Sequence, residues 1–383
     1  VSNDIQHYND QWTRLTSEWQ INDNVTATNE LSYLKNQRRW QNAESYNSVD
    51  GGLVRQSYLG IKHNQEQVGD RQTFTFKHTL FGLDSQTVTG VEYNRIRFRL
   101  ASNSPFNDLN DGQPVDILHP VPQPFESASP FIPQSVSTTK QLAAFAENRL
   151  QLTDKLSLIT GVRRDYLHID REDLTQNNSD SNKTFTGNNW KAGLVYAITP
   201  DTSVYGQYAT STDGVGSLIT LSPSQQQFGL STAKQTEIGI KQAFWDSRGE
   251  WTLAAYHIVK KKLLTDVPGT DLKEQVGQQS SNGLEASLDL QLPNAWQLQA
   301  NAAIVRAQYD DFSEVVNGQA VSRDGNRPTD VPRRTANLWL SKAITDDVRA
   351  GAGVRYVDAR YADTANTSEV PSYTVVAASV SWK

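Results

Sequence analysis

Between Gly283 and Leu292 apolar and polar residues alternate one for one: Leu284, Ala286, Leu288, Leu290 and Leu292 against Gly283, Glu285, Ser287, Asp289 and Gln291. Successive side chains of a strand point to opposite faces, so this is the period of a strand with one apolar and one polar face. After Pro293 and Asn294 the pattern resumes with Trp296, Leu298, Ala300, Ala302 and Ile304 against Gln297, Gln299 and Asn301. The two stretches make a hairpin with a tight turn at one end, and Thr265 to Gln275 make a longer polar connection at the other.

The same rhythm runs along the whole chain. From Gln11 to Ile21 the outward set is Thr13, Leu15, Trp19 and Ile21, and the next strand starts at Val25 after the turn Asn22, Asp23, Asn24. That strand runs past Leu34 toward Tyr46, farther than the roughly 10 residues that cross a bilayer, which predicts a hairpin continuing above the membrane. Its return, from about Leu53 to Gly82, carries Gly69 and Asp70, an expected bulge. A turn at Leu83, Asp84 and Ser85 then sends the chain back through Val88 to Phe98. Residues 101–139 hold Pro105, Pro114, Pro120, Pro122, Pro124, Pro130 and Pro133, which forbid a continuous strand or helix and predict a long functional or surface loop.

Further along, tight turns at 153–155, 199–202, 246–249, 293–295 and 345–347 alternate with long polar connections near 170–187, 212–231, 265–275, 309–333 and 361–371. All long connections therefore lie on one side of about 15 strands, an all-β antiparallel meander with no helical period. Soluble sandwiches and propellers use connections of similar length on both sides, whereas outer-membrane barrels have short periplasmic turns and long extracellular loops. The expected fold is a transmembrane antiparallel meander β-barrel.

Composition agrees once the class is considered. Hydrophobic residues make up 37% of 383, and no apolar run approaches the roughly 18 residues that a transmembrane helix needs. A membrane barrel needs only every second residue apolar, so mean hydropathy is blind to it. Cysteine is absent, which removes disulfide, zinc-thiolate and cysteine-nucleophile readings and suits passage through an oxidising periplasm. A net charge of -6, with no basic stretch beyond Lys260, Lys261 and Lys262, argues against a nucleic-acid partner. The chain begins at Val1 without a basic, apolar leader, so a processed chain or a fragment is expected.

Six segments resemble, in the family's order, the barrel of TonB-dependent ferric-siderophore receptors of Gram-negative outer membranes. They are GVRRDYLHID at 161–170, TSVYGQYATS at 202–211, AKQTEIGIKQAFWD at 233–246, VGQQSSNGLEASL at 276–288, GNRPTDVPRRTANLWLSKA at 325–343 and PSYTVVAASVSW at 371–382. The similarity covers essentially all of residues 1–383, read as one partial barrel domain. Two departures stand out: nothing resembles the family's globular plug with its TonB-binding box, and the closing strands with their terminal aromatic are missing after Lys383. Outer-membrane transporters have 22 strands around a plugged lumen, so about 15 strands leave roughly seven to be supplied by a longer gene product or by another chain.

The resemblance implies energised uptake of a ferric siderophore, with partners in the TonB–ExbB–ExbD complex reached through the absent plug and in outer-membrane lipid and lipopolysaccharide. It implies no cofactor and no metal site of the chain's own, because iron is held by the chelator. No binding residue falls in a motif that carries over by position, so candidates rest on chemistry.

Aromatic side chains in polar, loop-side segments need a partner to justify exposure: Trp40, Tyr46, Phe106, Phe125, Phe131, Phe228 and Tyr361. The competing assignment for each is packing within its own loop or an interfacial aromatic girdle. Arg38, Arg39, Arg95, Arg97 and Arg99 are candidates for an anion path, since guanidinium forks suit carboxylate and catecholate oxygens; the competing assignment is a lumen-wall charge ladder. In the 276–288 motif, Gly277 and Gly283 are read as allowing close backbone approach or a bulge, and Glu285 as pointing into the lumen without a catalytic role.

Enzyme readings find little support. The histidines His7, His63, His78, His119, His168 and His257 form no His-x-x-x-His pair, and neither a Gly-x-Ser-x-Gly elbow nor a phosphate loop occurs. Two alternatives to the transporter stay open at this point. One is a plugless pore or surface receptor used in adhesion or by phage, and the other is a barrel hydrolase whose Ser and His meet only in space.

Overall fold

The computed structural model describes residues 3–50, 52–104, 110–122, 124, 127, 129–175, 180–212, 229–266 and 273–382. Alternating sequence becomes strand almost throughout: β1 (Ile5–Asn22), β2 (Val25–Val49), β3 (Gly52–Leu80), β4 (Leu83–Ser102), β5 (Asn110–Val115), β6 (Ile132–Gln151), β7 (Leu156–Asp173), β8 (Ser181–Thr199), β9 (Thr202–Thr212) and β10 (Thr232–Phe244). These are followed by β11 (Gly249–Asp266), β12 (Lys273–Leu292), β13 (Trp296–Asp311), β14 (Ser313–Val316), β15 (Gln319–Ser322), β16 (Arg334–Ala343), β17 (Val348–Val357), β18 (Arg360–Tyr361), β19 (Glu369–Val370) and β20 (Tyr373–Trp382).

Each wall strand pairs antiparallel with the next in one 16-stranded sheet, ordered β1-β2-β3-β4-β6-β7-β8-β9-β10-β11-β12-β13-β16-β17-β20, with β5 attached to β3. This is the meander expected of a barrel wall. Among the described residues β1 and β20 are the two ends of the path.

Several local expectations are corrected. The turn after β3 falls at Phe81 and Gly82, between the paired Leu80 and Leu83, not at Leu83–Ser85. Both turn residues have positive φ, 54° and 79°, the two-residue geometry whose twist matches that of the flanking strands. No bulge occurs at Gly69 and Asp70: Gly69 stays in register opposite Ser32 on one side and Asn94 on the other. Glycine leaves room there for the Ser32 hydroxyl, since a Cβ would lie 2.6 Å from Ser32 Oγ and that group would have to move. Irregular chain between β4 and β6 is shorter than 101–139, because β4 reaches Ser102 and β6 begins at Ile132. Within that stretch β5 pairs with the tip of β3, Pro114 opposite Val54, an edge position where a missing N–H is tolerated. The 309–333 and 361–371 connections carry their own small hairpins, β14–β15 and β18–β19.

Asn103 ties this region down. Buried at 1% exposure, it donates from Nδ2 to Tyr58 O at 2.8 Å and accepts from Gly60 N at 2.6 Å.

The pleat sorts side chains into two unlike faces. One face carries rows such as Ile238, Ala255, Leu284 and Ile304, and Leu288, Ala300, Leu338, Val354 and Val376. Ile238 is 62% exposed and Val376 76%; contiguous apolar rows left this open belong against hydrocarbon. The opposite face is polar and internally paired: Lys241 to Glu250 at 2.9 Å, Lys191 to Glu147 at 2.6 Å, and Arg163 to Glu92 at 3.1 Å and Asp165 at 2.8 Å. This is a lumen-wall charge ladder, and Glu285 stands on the same face beside Ala254 and Ala303. Gly283 admits the Tyr256 ring flat against the backbone, since a Cβ would sit 2.1 Å from Tyr256 Cζ. The register of this hairpin shifts on both sides of the Leu263–Gly277 pair, passing over Lys262 on one strand and Val276 on the other, consistent with the bulge alternative for that glycine.

Candidate functional site on the upper inner wall

Strands β2 and β3, at 25 and 29 residues, are more than twice the length that crosses a bilayer, so their upper halves stand outside it. There the inner face gathers rings and donors from four strands. Tyr8, Arg38, His63 and Leu100 form one cross-strand row, and Trp40, Ile61 and Ser102 form the next. The Arg38 guanidinium lies 4.6 Å from the Trp40 ring centroid and 5.5 Å from that of Tyr8, and the His63 and Phe98 rings are 4.9 Å apart. Arg38 Nε and Trp40 Nε1 are both buried without a hydrogen-bond partner. Buried N–H donors are normally satisfied, so an acceptor that reached this pair would complete both. A guanidinium held between two π-faces presents charge and flat apolar area together, which is the chemistry that an oxygen-rich, ring-bearing anion requires.

The same face continues around the wall into an apolar patch. Leu167, Ile169 and Phe185 form a buried cluster with Leu230 packed against it, next to Thr139, whose Oγ1 is also buried without a partner. The cluster therefore has a cationic, aromatic end and an apolar end.

Burial, and next the Arg38 charge, hold His63 below the usual imidazole range, so the folded state keeps this ring neutral. A depressed histidine pKa gives stability that is intact above the unfolded value of about 6.5 and is lost as pH falls below it. Between pH 7.5 and 5.5 the thermal transition of wild type should therefore drop more than that of His63→Gln. Equal drops in the two proteins would remove His63 from this role.

The sequence candidates are not placed together. Trp40 and Arg38 lie in the inner cluster, and Tyr46, exposed, is on the same parity nearer the hairpin tip. Arg97 and Arg99 lie on the outer face: they share parity with Val91 and Tyr93, while Glu92 and Phe98 point inward. The expectation that they line an internal anion path is corrected accordingly, and Arg95 and Arg39 lie outside with them. Phe131 lies against Gly60 on that outer face, with Lys62 Nζ 4.5 Å and the Arg39 guanidinium 6.0 Å from its ring, so it packs its own loop onto β3. Tyr361 stacks under Arg327 at 4.7 Å, on the opposite flank of the wall. Phe106, Phe125 and Phe228 lie outside the described residues. Tyr8, His63 and Phe98 were missed; parity signals Phe98 alone, which alternates inward between Arg97 and Arg99, while Tyr8 and His63 meet Arg38 only across strands.

Residues 2–383 match the family model described as TonB dependent receptor-like, beta-barrel. The chain is 24% identical over 410 residues to a probable TonB-dependent siderophore receptor PiuA of Acinetobacter baumannii, covering 97% of this chain and 54% of that protein. It is 24% identical to the ferrioxamine receptor of Yersinia enterocolitica, covering 94% and 49%, and 26% identical to the ferrichrome outer membrane transporter/phage receptor of Escherichia coli K12, covering 78% and 40%. The chain thus spans about half the length of the curated relatives it matches. The crystal structure of the siderophore receptor PiuA from Acinetobacter baumannii superposes with a TM-score of 0.83 at 23% identity, over 99% of this chain and 59% of that one. The ferric-catecholate import receptor Fiu of Escherichia coli K12, in its closed form, gives 0.78 at 20% identity, over 100% and 59%. At such identities the likeness is one of fold.

Proposed function

Because the chain belongs to the TonB-dependent receptor-like β-barrel family, we propose that it is the wall and loop portion of a receptor that takes up a ferric siderophore. Proteins of this family are transport receptors of the Gram-negative outer membrane, and the chain is a multi-pass β-barrel wall in that membrane. The observation that carries the reading is the inner cluster of Arg38, Trp40, Tyr8, His63 and Phe98, with two buried donors lacking acceptors. A ferric chelate brings oxygen acceptors, negative charge and flat apolar surface to such a cluster, and the relatives named above are receptors for ligands of this class.

In this reading the chelate docks on the upper inner wall, and a plug domain outside this sequence closes the lumen. Pull from the TonB–ExbB–ExbD complex on that plug opens the path. Further strands beside β1 and β20 complete the cylinder, because unpaired strand edges cannot be satisfied in lipid. Iron stays with its chelator, so the chain needs neither a cofactor nor a covalent step of its own. On the outside, Arg95 and Lys140 form a row directly above Tyr93 and Leu142, the level of outer-leaflet head groups, which favours phosphorylated lipid or lipopolysaccharide as the surrounding partner.

Radiolabelled iron-55 siderophore uptake by cells carrying the complete receptor tests the reading. Accumulation should require the receptor, TonB and a proton gradient together. Uptake that persists undiminished without TonB would make this a passive pore and end the proposal.

A further inference from the structure

Two of the long connections are too slight to hold a shape alone. β14–β15 pairs four residues with four and β18–β19 pairs two with two, and an isolated two-stranded hairpin is at best marginally stable in water. The β16–β17 hairpin separates them in sequence, yet the structure joins them.

The joint is the 326–330 segment. One side of it lies on β13: Tyr309 N donates to Asn326 O at 2.9 Å, Gly325 N donates to Tyr309 O at 2.8 Å, and Pro328 is buried. The other side carries the 359–366 segment. Arg327 N donates to Asn366 Oδ1 at 2.8 Å, and Asn366 Nδ2 donates back to Arg327 O at 2.9 Å. Asn326 Nδ2 donates to Thr364 O at 2.9 Å, and Asp330 N to Tyr361 O at 2.9 Å.

Side chains widen the contact. The Arg327 guanidinium stands 4.7 Å from the Tyr361 ring centroid and donates from Nη1 to Ala359 O at 3.1 Å, while Arg360 Nε meets Asp330 Oδ1 at 3.1 Å. A single carboxylate draws in the β14–β15 hairpin: Glu314 on β14 holds Arg323 at 2.5 Å within its own connection and accepts from Thr364 Oγ1 of the other. Asn366 has φ 59°, a left-handed shape that asparagine adopts more readily than most residues. The turn around it is fastened by Asp363, which accepts from Thr367 N at 2.9 Å and Ser368 N at 3.2 Å, so the carboxamide is delivered to Arg327 by its own turn.

We propose that the 312–333 and 358–372 connections form one cooperative body, latched by the reciprocal Arg327–Asn366 bonds and by the Glu314–Thr364 bond. This flank of the mouth then orders and opens as a single piece, because neither hairpin is stable without the other. A ligand or partner that touches one connection changes the order of both.

Hydrogen–deuterium exchange of the complete receptor in lipid nanodiscs, read by mass spectrometry, tests the coupling. The amides of Arg323, Gly325, Arg327 and Asp330 in one connection and of Ala362, Thr367 and Ser368 in the other are hydrogen-bonded, so their exchange reports opening. Asn366→Gly removes the carboxamide and retains the left-handed backbone. It should speed exchange at least about tenfold across 313–330 as well as across 358–370, with the amides of β6 to β8 unchanged as the internal reference. Thr364→Val removes one hydroxyl and should speed exchange at 313–323, where no residue is altered. Faster exchange confined to 358–370 in Asn366→Gly, or unchanged exchange in both variants, overturns the proposal. If Asn366→Gly also loses protection in β6 to β8, Thr364→Val decides alone: faster exchange at 313–323 supports the latch, and unchanged exchange there overturns it.

Discussion

Ala302→Lys should cost the folded wall about 2–4 kcal/mol, whereas Ala303→Lys, one residue along, should cost under about 1 kcal/mol. The two alanines are neighbours on β13 with opposite parity. Ala302 is exposed in the outward row with Ala286 and Ala336, while Ala303 stands on the inner face between Glu285 and Thr335. A lysine ammonium at 302 has to sit in hydrocarbon near mid-depth, and the same group at 303 enters a wet lumen next to a carboxylate. Unfolding of the receptor in bilayers by denaturant reads the difference. Equal costs at the two positions would mean that the outward face does not meet lipid.

The second large effect concerns the ligand. Trp40→Ala should weaken binding of the cognate ferric chelate by about 2 kcal/mol, roughly thirtyfold, because a central aromatic anchor and a buried donor are removed together and Arg38 loses its stacking surface. Arg97→Gln/Arg99→Gln should leave the affinity unchanged, since these exposed arginines stand on the outer face. Intrinsic fluorescence titration of the complete receptor gives both numbers. A loss on the arginine replacements with none on Trp40→Ala would invert the assignment of faces.

Much of the wall was legible because alternation is dense where one face meets lipid. The run Leu284–Leu292 and its partner from Trp296 to Ile304 pair as the pattern implies, down to Leu292 opposite Trp296. Tight turns rich in Asn, Asp, Gly and Pro came out within a residue or so, but the turn at Phe81 and Gly82 did not. A bulky ring at positive φ carries no turn signal, so the pattern slid forward to Asp84. Gly69 misled in the other direction: a glycine inside a strand looks the same whether it relieves crowding by Ser32 or marks a bulge.

The inner site was legible only in part, for a reason of register. Trp40 and Arg38 declare themselves by type, but their neighbours are set across strands, Tyr8 opposite Arg38 and Arg38 opposite His63, over separations that one strand's sequence does not contain. Arg97 and Arg99 were separable in principle, since counting by twos from Val91 and Tyr93 already places them outside. Phe131 needed the fold, because only the return of its loop over Gly60 shows what its ring covers.

Thiol protection tests most directly that a ferric chelate docks on this inner face. The chain has no cysteine of its own, so Arg38→Cys, Arg39→Cys, Trp40→Cys and Gln41→Cys each report one position on alternating faces. Labelling by a membrane-impermeant maleimide would be timed on cells with and without saturating ferric siderophore. The account predicts that ligand slows labelling at 38 and 40 and leaves 39 and 41 unchanged. Protection at 39 and 41 instead, or none at any of the four, would contradict it.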